Sequence, residues 1–470
     1  MTSRLRATPC AQAEMRELSA EVIAAAAGAE LLRGVSGPGP TQAVISSREL
    51  GSGSLFFGLP GANLHGGSFA PQALAAGAWG VLTTPEYADL ALAASDRGAV
   101  LATADPLTAL QSLARAWRRR LGAKVIGVTG STGKTSTKDL LGALLSSQLR
   151  TVISAANFNT EIGLPLQLLS APAGTQVVVL EMGMRGLGQI AELAAIAEPD
   201  VGVIVSIGPV HLELLGTIEN IAAAKAELIA ALPAGACAVI PAGEPLLDPH
   251  LRDDLRLITF GTGGDVTLHS EDLQTVELEF EGELIKVAVN FTQAHLRSNL
   301  LAAAAAARAV GAVIPAQVEL ELTPGRGQLI ELEDGMRLLD GSYNGNPVSM
   351  RAALDELEQT AGRGGGHQGP PPRRVAVLGD MLELGPDAPS YHREIGAYAA
   401  GRVDLLVTVG PLAAQMTAEF AGESHQVEDT EAAIALLPQL LRAGDLVLVK
   451  GSLGVRLSRL CASLVAGEAA

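Results

Sequence analysis

Residues 124–140 read KVIGVTGSTGKTSTKDL, and this stretch constrains the fold more than any other. KVIGV is a short apolar run of the kind that forms a buried strand. A glycine-rich turn follows, ends in Lys134 and Thr135, and runs into a helix-like sequence. Strand, Gly-rich turn, Lys-Thr and helix describe a phosphate cradle. Backbone N–H groups at the helix N-terminus favour anions, and Lys134 adds a point charge. The Thr135 hydroxyl is suited to a magnesium ion. The expected nucleotide-phosphate site is therefore Thr129, Gly130, Ser131, Thr132, Gly133, Lys134, Thr135 and Ser136. Its spacing is unusual, because the common pattern wants Gly about six residues before the Lys. Val128 stands there, and Gly127 is one place early.

The loop belongs to a longer rhythm. Residues 1–120 carry apolar runs (LFFGL, 55–59; WGVLTT, 79–84) between Gly-rich turns and close on PLTALQSLARAWRRRLG. From Lys124 short apolar runs alternate with helical patterns: KVIGVT, QVVVLEMG (176–183), DVGVIVSIG (200–208) and ACAVI (236–240). That alternation is the mark of βαβ units and a parallel sheet. LRSNLLAAAAAARAVG (296–311) is a strong helix former. Beyond Thr323 a second α/β series follows: RLLDG, RVAVLGD (374–380), DLLVTVG (404–410) and DLVLVKG (445–451). The expectation is an α/β protein of three domains, at 1–120, 121–315 and 316–470. Within the third, GRGGGHQGPPPRR (362–374) reads as an exposed loop.

Composition narrows the function. The chain of 470 residues has a net charge of −17, which argues against a general nucleic-acid binder. An acidic protein with anionic ligands must collect Lys and Arg in its clefts. Cys10, Cys237 and Cys461 lie far apart, without metal-ligand spacing, and read as reduced thiols. No charge-free run reaches the ~18 apolar residues of a membrane span. EMRELSAEVIAAAAGAELL is broken by acids and reads as an amphipathic helix, not a signal peptide. A cytoplasmic location is expected.

In open α/β sheets ligands bind at the C-terminal ends of strands. Glu181 ends VVVLE, where a carboxylate can ligate magnesium or cap a helix. His211 follows another strand in SIGPVHLELLG; it suits a metal ligand, although a His standing alone is more often a structural hydrogen bonder. In NIAAAKAELIAAL, Ile221, Lys225, Leu228 and Leu232 share one helix face. A lysine there either snorkels to water or is held neutral. A neutral amine can add CO2 and become a carbamate, an acceptor able to hold a metal. Asp340, Tyr343 and Asn344 in LLDGSYNGNPVSM follow a strand; an acid there can bind ribose hydroxyls or make an Asx turn. Lys450 in LVLVKGS ends the last strand, where it can hold a carboxylate or phosphate.

These residues together resemble the Mur peptide ligases. The carriers are the TGxxGKT loop, whose spacing is usual in that family, EMG, a His-Leu-Glu, an AKAE helix and a late KGS. GSTGKTSTK, NFNTEIGLPLQLL (157–169), SYNGNPVSM (342–350) and VLGDMLELG (377–385) are similar to the branch that joins D-alanyl-D-alanine to the UDP-N-acetylmuramoyl tripeptide. SSRELGSGSLFFGLPG (46–61) looks like the family's UDP-binding N-terminal domain, so the resemblance covers nearly the whole chain. It implies a central P-loop ATPase-like domain, a C-terminal Rossmann-like domain, ATP and magnesium, and a monomer. It also implies roles. Lys134 and the loop would hold ATP phosphates, with Asn299, Arg326 and Asp340 at the nucleotide. Thr135, Glu181, His211 and a carbamylated Lys225 would serve the metal. Lys134, His211 and Lys225 would be catalytic. Asn157, Asn159, Thr160, Asn344 and Lys450 would face the substrates, and Ser47 and Arg48 the uridine end.

Departures from the family pattern fall at the nucleoside contacts. Gly341 follows Asp340 where a second acid is usual, and Gly345 replaces the Ala of YNANP. TQAHLRSN keeps His295 and Asn299 but lacks the Asn after the His. PAGEP replaces an NADD-like segment, and Ser46 and His65 stand where Asp is usual. Another ligase of the superfamily, folylpolyglutamate synthetase among them, and a P-loop ATPase that makes no bond remain the alternative readings.

Overall fold

The structure is a computed structural model that describes residues 15–155, 158–362 and 371–467. It has the expected α/β architecture, built on three sheets. The first sheet has five strands in the order Glu30–Arg33, Ala99–Ala102, Gly80–Thr83, Ser54–Phe57, Gln42–Val44. All pair in parallel except Glu30–Arg33 at the edge.

The middle sheet has ten strands. At its centre Lys124–Thr129 lies between Val177–Glu181 and Val201–Ile204, parallel to both. The chain leaves Lys124–Thr129 toward one side and later returns to the other. That reversal opens a crevice at the strand's C-terminal end, and the glycine-rich loop sits there. Cys237–Pro241 and Arg256–Phe260 extend the parallel part. Val266–Glu271, Thr275–Phe280 and Glu283–Val289 then form an antiparallel meander. Gln317–Val318, just past the expected boundary at 315, pairs with the last of these.

The third sheet runs Gln328–Glu331, Arg337–Gly341, Leu446–Lys450, Arg374–Gly379, Leu405–Val409, Glu423–Val427, parallel but for the first.

Two helices carry much of the scaffold. Pro106–Leu121 starts cleanly because Asp105 Oδ1 accepts from the Leu107 and Thr108 N–H groups at 3.0 and 3.1 Å, and Pro106 needs no donor. It stops at Gly122, whose left-handed φ of 62° suits glycine. Its last turn ties the first and middle sheets: Arg118 meets Asp200 at 2.9 Å, and Trp117 Nε1 donates to Ala171 O at 3.0 Å. Ala294–Ala309 is buried along Ala302–Ala307 and packs on Lys134–Leu145. Small side chains let the two helices approach closely, which brings the start of the alanine helix up to the loop.

The hydrophobic cores divide unevenly. One cluster runs from Leu55, Phe57 and Leu101 of the first sheet through Leu113 and Trp117 to Val178, Leu180 and Met182 of the middle one. The clusters of the third sheet contain residues of that sheet and its own helices alone, such as Leu339, Leu354, Leu378 and Val447.

Candidate functional site

The loop is pinned from behind. Ser131 and Thr132 N–H groups donate to Ser206 O and Oγ at 2.9 Å each, and Ser131 Oγ bonds Gly208. Gly133 has φ 80°, and a Cβ there would meet Asn299 Oδ1 at 2.7 Å and Val205 Cγ1 at 2.8 Å. Only glycine fits at that position. Lys134 begins the helix and donates from Nζ to Gly130 O at 2.6 Å. Burial lowers its pKa, and Glu181 partly offsets this.

Glu181 is buried at the end of its strand. Thr135 Oγ1 donates to its Oε2 at 2.8 Å and Asn159 Nδ2 to its Oε1 at 2.9 Å. One hydroxyl and one carboxylate thus face the same point beside the loop. This is a hard-oxygen pair of the kind magnesium uses together with substrate phosphates. Among the described residues no group of three or more His, Cys, Asp or Glu comes together. His211 adopts φ 53°, starts the short helix Leu212–Leu215, and bonds Glu383 through Nδ1. Burial lowers its pKa, Glu383 raises it, and the net direction is down.

Lys225 lies on the helix Ile218–Ala231 with only 2% of its surface exposed. Among the described residues its ammonium has no hydrogen-bond or ion-pair partner. Burial, and then the nearby Lys134 charge, push its pKa well below that of an ordinary lysine.

Lys134, Thr135, Asn159, Glu181 and His211 open on a cavity of about 900 Å³ between the middle and third sheets, and Lys225 is not among its lining residues. Ser131 to Ser136, Asn159, Thr160, Glu181, His211 and Asn299 line the middle-sheet wall. Arg326, Tyr343, Asn344 and Lys450 line the other. The Arg326 guanidinium lies 3.8 Å from the Tyr343 ring centroid, and its buried Nε has no partner among the described residues. Lys450 Nζ donates to Asn344 O at 3.0 Å. Burial and the Arg326 charge lower its pKa to about 8. A chain of net charge −17 has here gathered Lys134, Arg185, Arg326 and Lys450 around one cavity. Glu161, Glu181, Glu192 and Glu356 line the same cavity, so an anionic ligand would meet these cations among carboxylates.

Other expected residues fall elsewhere. Thr129 and Gly130 lie behind the cavity wall, and Thr129 Oγ1 is buried without a partner among the described residues. Asp340 is turned away from the cavity. Its Oδ1 accepts from Ser342 N at 3.0 Å and Cys461 Sγ at 3.2 Å, while its neighbours Leu339 and Gly341 line the wall. Successive strand residues point to opposite faces, so the acid sits one residue out of step with the nucleotide side. Ser47 and Arg48 occupy a turn after Gln42–Val44 and are not part of this cavity. Asn157 lies outside the described residues. The sequence reading gave no role to Arg185, Glu356 or Glu383, which the fold brings to the cavity or to His211.

The comparisons with known proteins agree with this arrangement. Residues 128–307 match the Mur ligase middle domain, and 325–453 match the Mur ligase glutamate ligase domain. The UDP-N-acetylmuramoyl-tripeptide–D-alanyl-D-alanine ligase of Bacillus subtilis is 35% identical, covering 93% of this chain and 97% of its own. MurF from Acinetobacter baumannii superposes with a TM-score of 0.83 at 27% identity, covering 95% of this chain and 98% of its own. MurF from Thermotoga maritima, solved in complex with ADP, superposes at 0.78 and 28% identity, covering 90% and 96%. A loop built for phosphates, a cation-lined cavity and this similarity along nearly the full length lead to one assignment: the chain belongs to the Mur ligase family, in its UDP-N-acetylmuramoyl-tripeptide–D-alanyl-D-alanine ligase (MurF) branch.

Proposed function

We propose that the protein joins D-alanyl-D-alanine to UDP-N-acetylmuramoyl-tripeptide at the expense of ATP, giving the UDP-linked pentapeptide of peptidoglycan synthesis. The observation that carries this reading is the single cavity where the loop, Glu181, Thr135 and the third-sheet cations converge. Amide formation from a bare carboxylate is unfavourable in water, so the carboxylate must first gain a leaving group. The terminal carboxylate oxygen of the tripeptide attacks the γ-phosphorus, the bond to the ADP oxygen breaks, and an acyl phosphate forms. The amine of D-alanyl-D-alanine then attacks the acyl carbon. The tetrahedral intermediate expels phosphate, and the amine proton leaves.

This chain needs no nucleophile of its own for these steps; it positions and neutralises. The N–H groups at the start of Lys134–Leu145 and the Lys134 ammonium hold the phosphates. Asn299 and Arg326 hold the nucleotide, and Asn159, Thr160, Asn344 and Lys450 face the joined substrates. Thr135, Glu181 and His211 would hold magnesium, with oxygens of a carbamylated Lys225 beside them. Bound there, magnesium would supply positive charge against the phosphate oxygens. In this reading the segments 1–120, 121–315 and 316–470 act as uridine-end, nucleotide and closing domains, and the enzyme works as a cytoplasmic monomer. Among the described residues no helix is long and apolar enough to cross a membrane.

The test is phosphate release with ATP and magnesium, using UDP-N-acetylmuramoyl-tripeptides that differ in the third residue, with and without D-alanyl-D-alanine. Release that requires both substrates, with a product heavier by the dipeptide less one water, is expected. Release indifferent to both substrates would favour an ATPase that makes no bond.

A further inference from the structure

The stretch VLGDMLELG (377–385) marks the branch, yet the mechanism above gives it no task. In the structure it leaves the strand Arg374–Gly379 as a tightly held loop. The Asp380 carboxylate accepts from Ala413 N at 2.6 Å, Met381 N donates to His392 Nε2 at 2.9 Å, and Leu382 N donates to Ser452 Oγ at 2.9 Å. The next residue, Glu383, has φ 63°. A non-glycine residue in the left-handed region persists only where its surroundings over-determine it. His211, φ 53°, is another such residue, and the two meet.

Glu383 reaches from the third-sheet block to the middle one. One carboxylate oxygen accepts from His211 Nδ1 and the other from the Arg185 guanidinium. Its carbonyl oxygen accepts from Glu213 N at 3.2 Å. A carboxylate on Nδ1 fixes the imidazole tautomer and leaves Nε2 as the acceptor. His211 lines the cavity that also holds Lys134 and Glu181.

We propose that Glu383 is a positioning residue: it orients His211 and, with Arg185, latches the third-sheet block onto the middle block over the phosphate loop. This rests on the ligase reading of the site. The latch exists only when the two blocks are together, so His211 is set for the reaction only in the closed enzyme.

The experiment is a double-mutant cycle on the full chain with Glu383→Gln, His211→Ala and the pair, read as kcat and KM for each substrate. X-ray scattering of each protein with ADP and magnesium reads closure. Glu383→Gln keeps the size and one acceptor but removes the charge. It is expected to lower kcat by about 10–100-fold, with little change in KM for ATP and a larger radius of gyration than wild type. Glu383→Gln is expected to slow the His211→Ala enzyme by a smaller factor than it slows wild type, because only the link to Arg185 is left to lose. Losses that multiply, or normal kcat and normal scattering in Glu383→Gln, would overturn the proposal. A wild type without dipeptide-dependent turnover would instead count against the ligase reading. In that case the scattering alone decides the latch: an unchanged radius in Glu383→Gln overturns it.

Discussion

Lys134→Ala is expected to lower ligation turnover by about 10²–10³-fold, the usual cost of removing a preorganised charge from a transferring group. The structure explains why so large a loss should come with little loss of fold. Lys134 is half-buried at the first turn of its helix, and its one hydrogen bond is to Gly130 O within its own loop. Truncation removes that bond, a change of about 1 kcal/mol, and the nearby Glu181 carboxylate keeps its bonds from Thr135 and Asn159. The helix N–H groups remain, so nucleotide binding should weaken far less than turnover falls. Stopped-flow phosphate release beside a thermal melt checks both halves. A variant with near-normal turnover would remove Lys134 from the chemistry and with it the proposed mechanism.

The second large effect is expected at Lys225. A buried cationic side chain without a partner is costly; Lys225 has none among the described residues, and burial shifts its amine toward the neutral form. Lys225→Met should therefore match or exceed the wild-type melting temperature while ligation falls about 10²-fold or more. Carbamylation makes two further demands. Wild-type enzyme stripped of dissolved CO2 should lose activity and regain it with bicarbonate. Lys225→Ala should recover part of its turnover when a short carboxylate such as formate is added. Only the neutral amine takes up CO2, so a carbamate there would be lost as pH falls through the depressed lysine pKa. Activity that ignores CO2, or an active Lys225→Met, would reduce this lysine to a packing role.

The parallel strands were legible because strands buried on both faces read as unbroken apolar runs. Val177–Glu181 and Leu446–Lys450 are of that kind. The meander of 266–289 was passed over for the complementary reason. Its strands alternate buried and solvated positions, as in Thr275–Phe280, and their charged residues disguise them as loop. At the site, the phosphate loop could be read locally because its chemistry is backbone chemistry over a few residues. The face to which Asp340 turns could not, because a displacement of one residue along a strand reverses it. Glu383 carries no local sign of its partner. His211 lies on another sheet's block, 172 residues away, and only the folded chain brings them together.

The division of the cores sets how the molecule comes apart. The first and middle sheets share one apolar cluster, so heating cannot melt one and spare the other. The third sheet keeps its apolar residues to itself. Polar links such as those of Glu383, Gln293 to Glu356 at 2.7 Å and Thr323 to Asp139 at 2.9 Å hold it to the rest. Calorimetry should resolve two cooperative units in a chain with three sheets. With the apolar residues so partitioned, a third block that swung outward as a rigid body would expose none of these clusters, and product release by that route would require no unfolding.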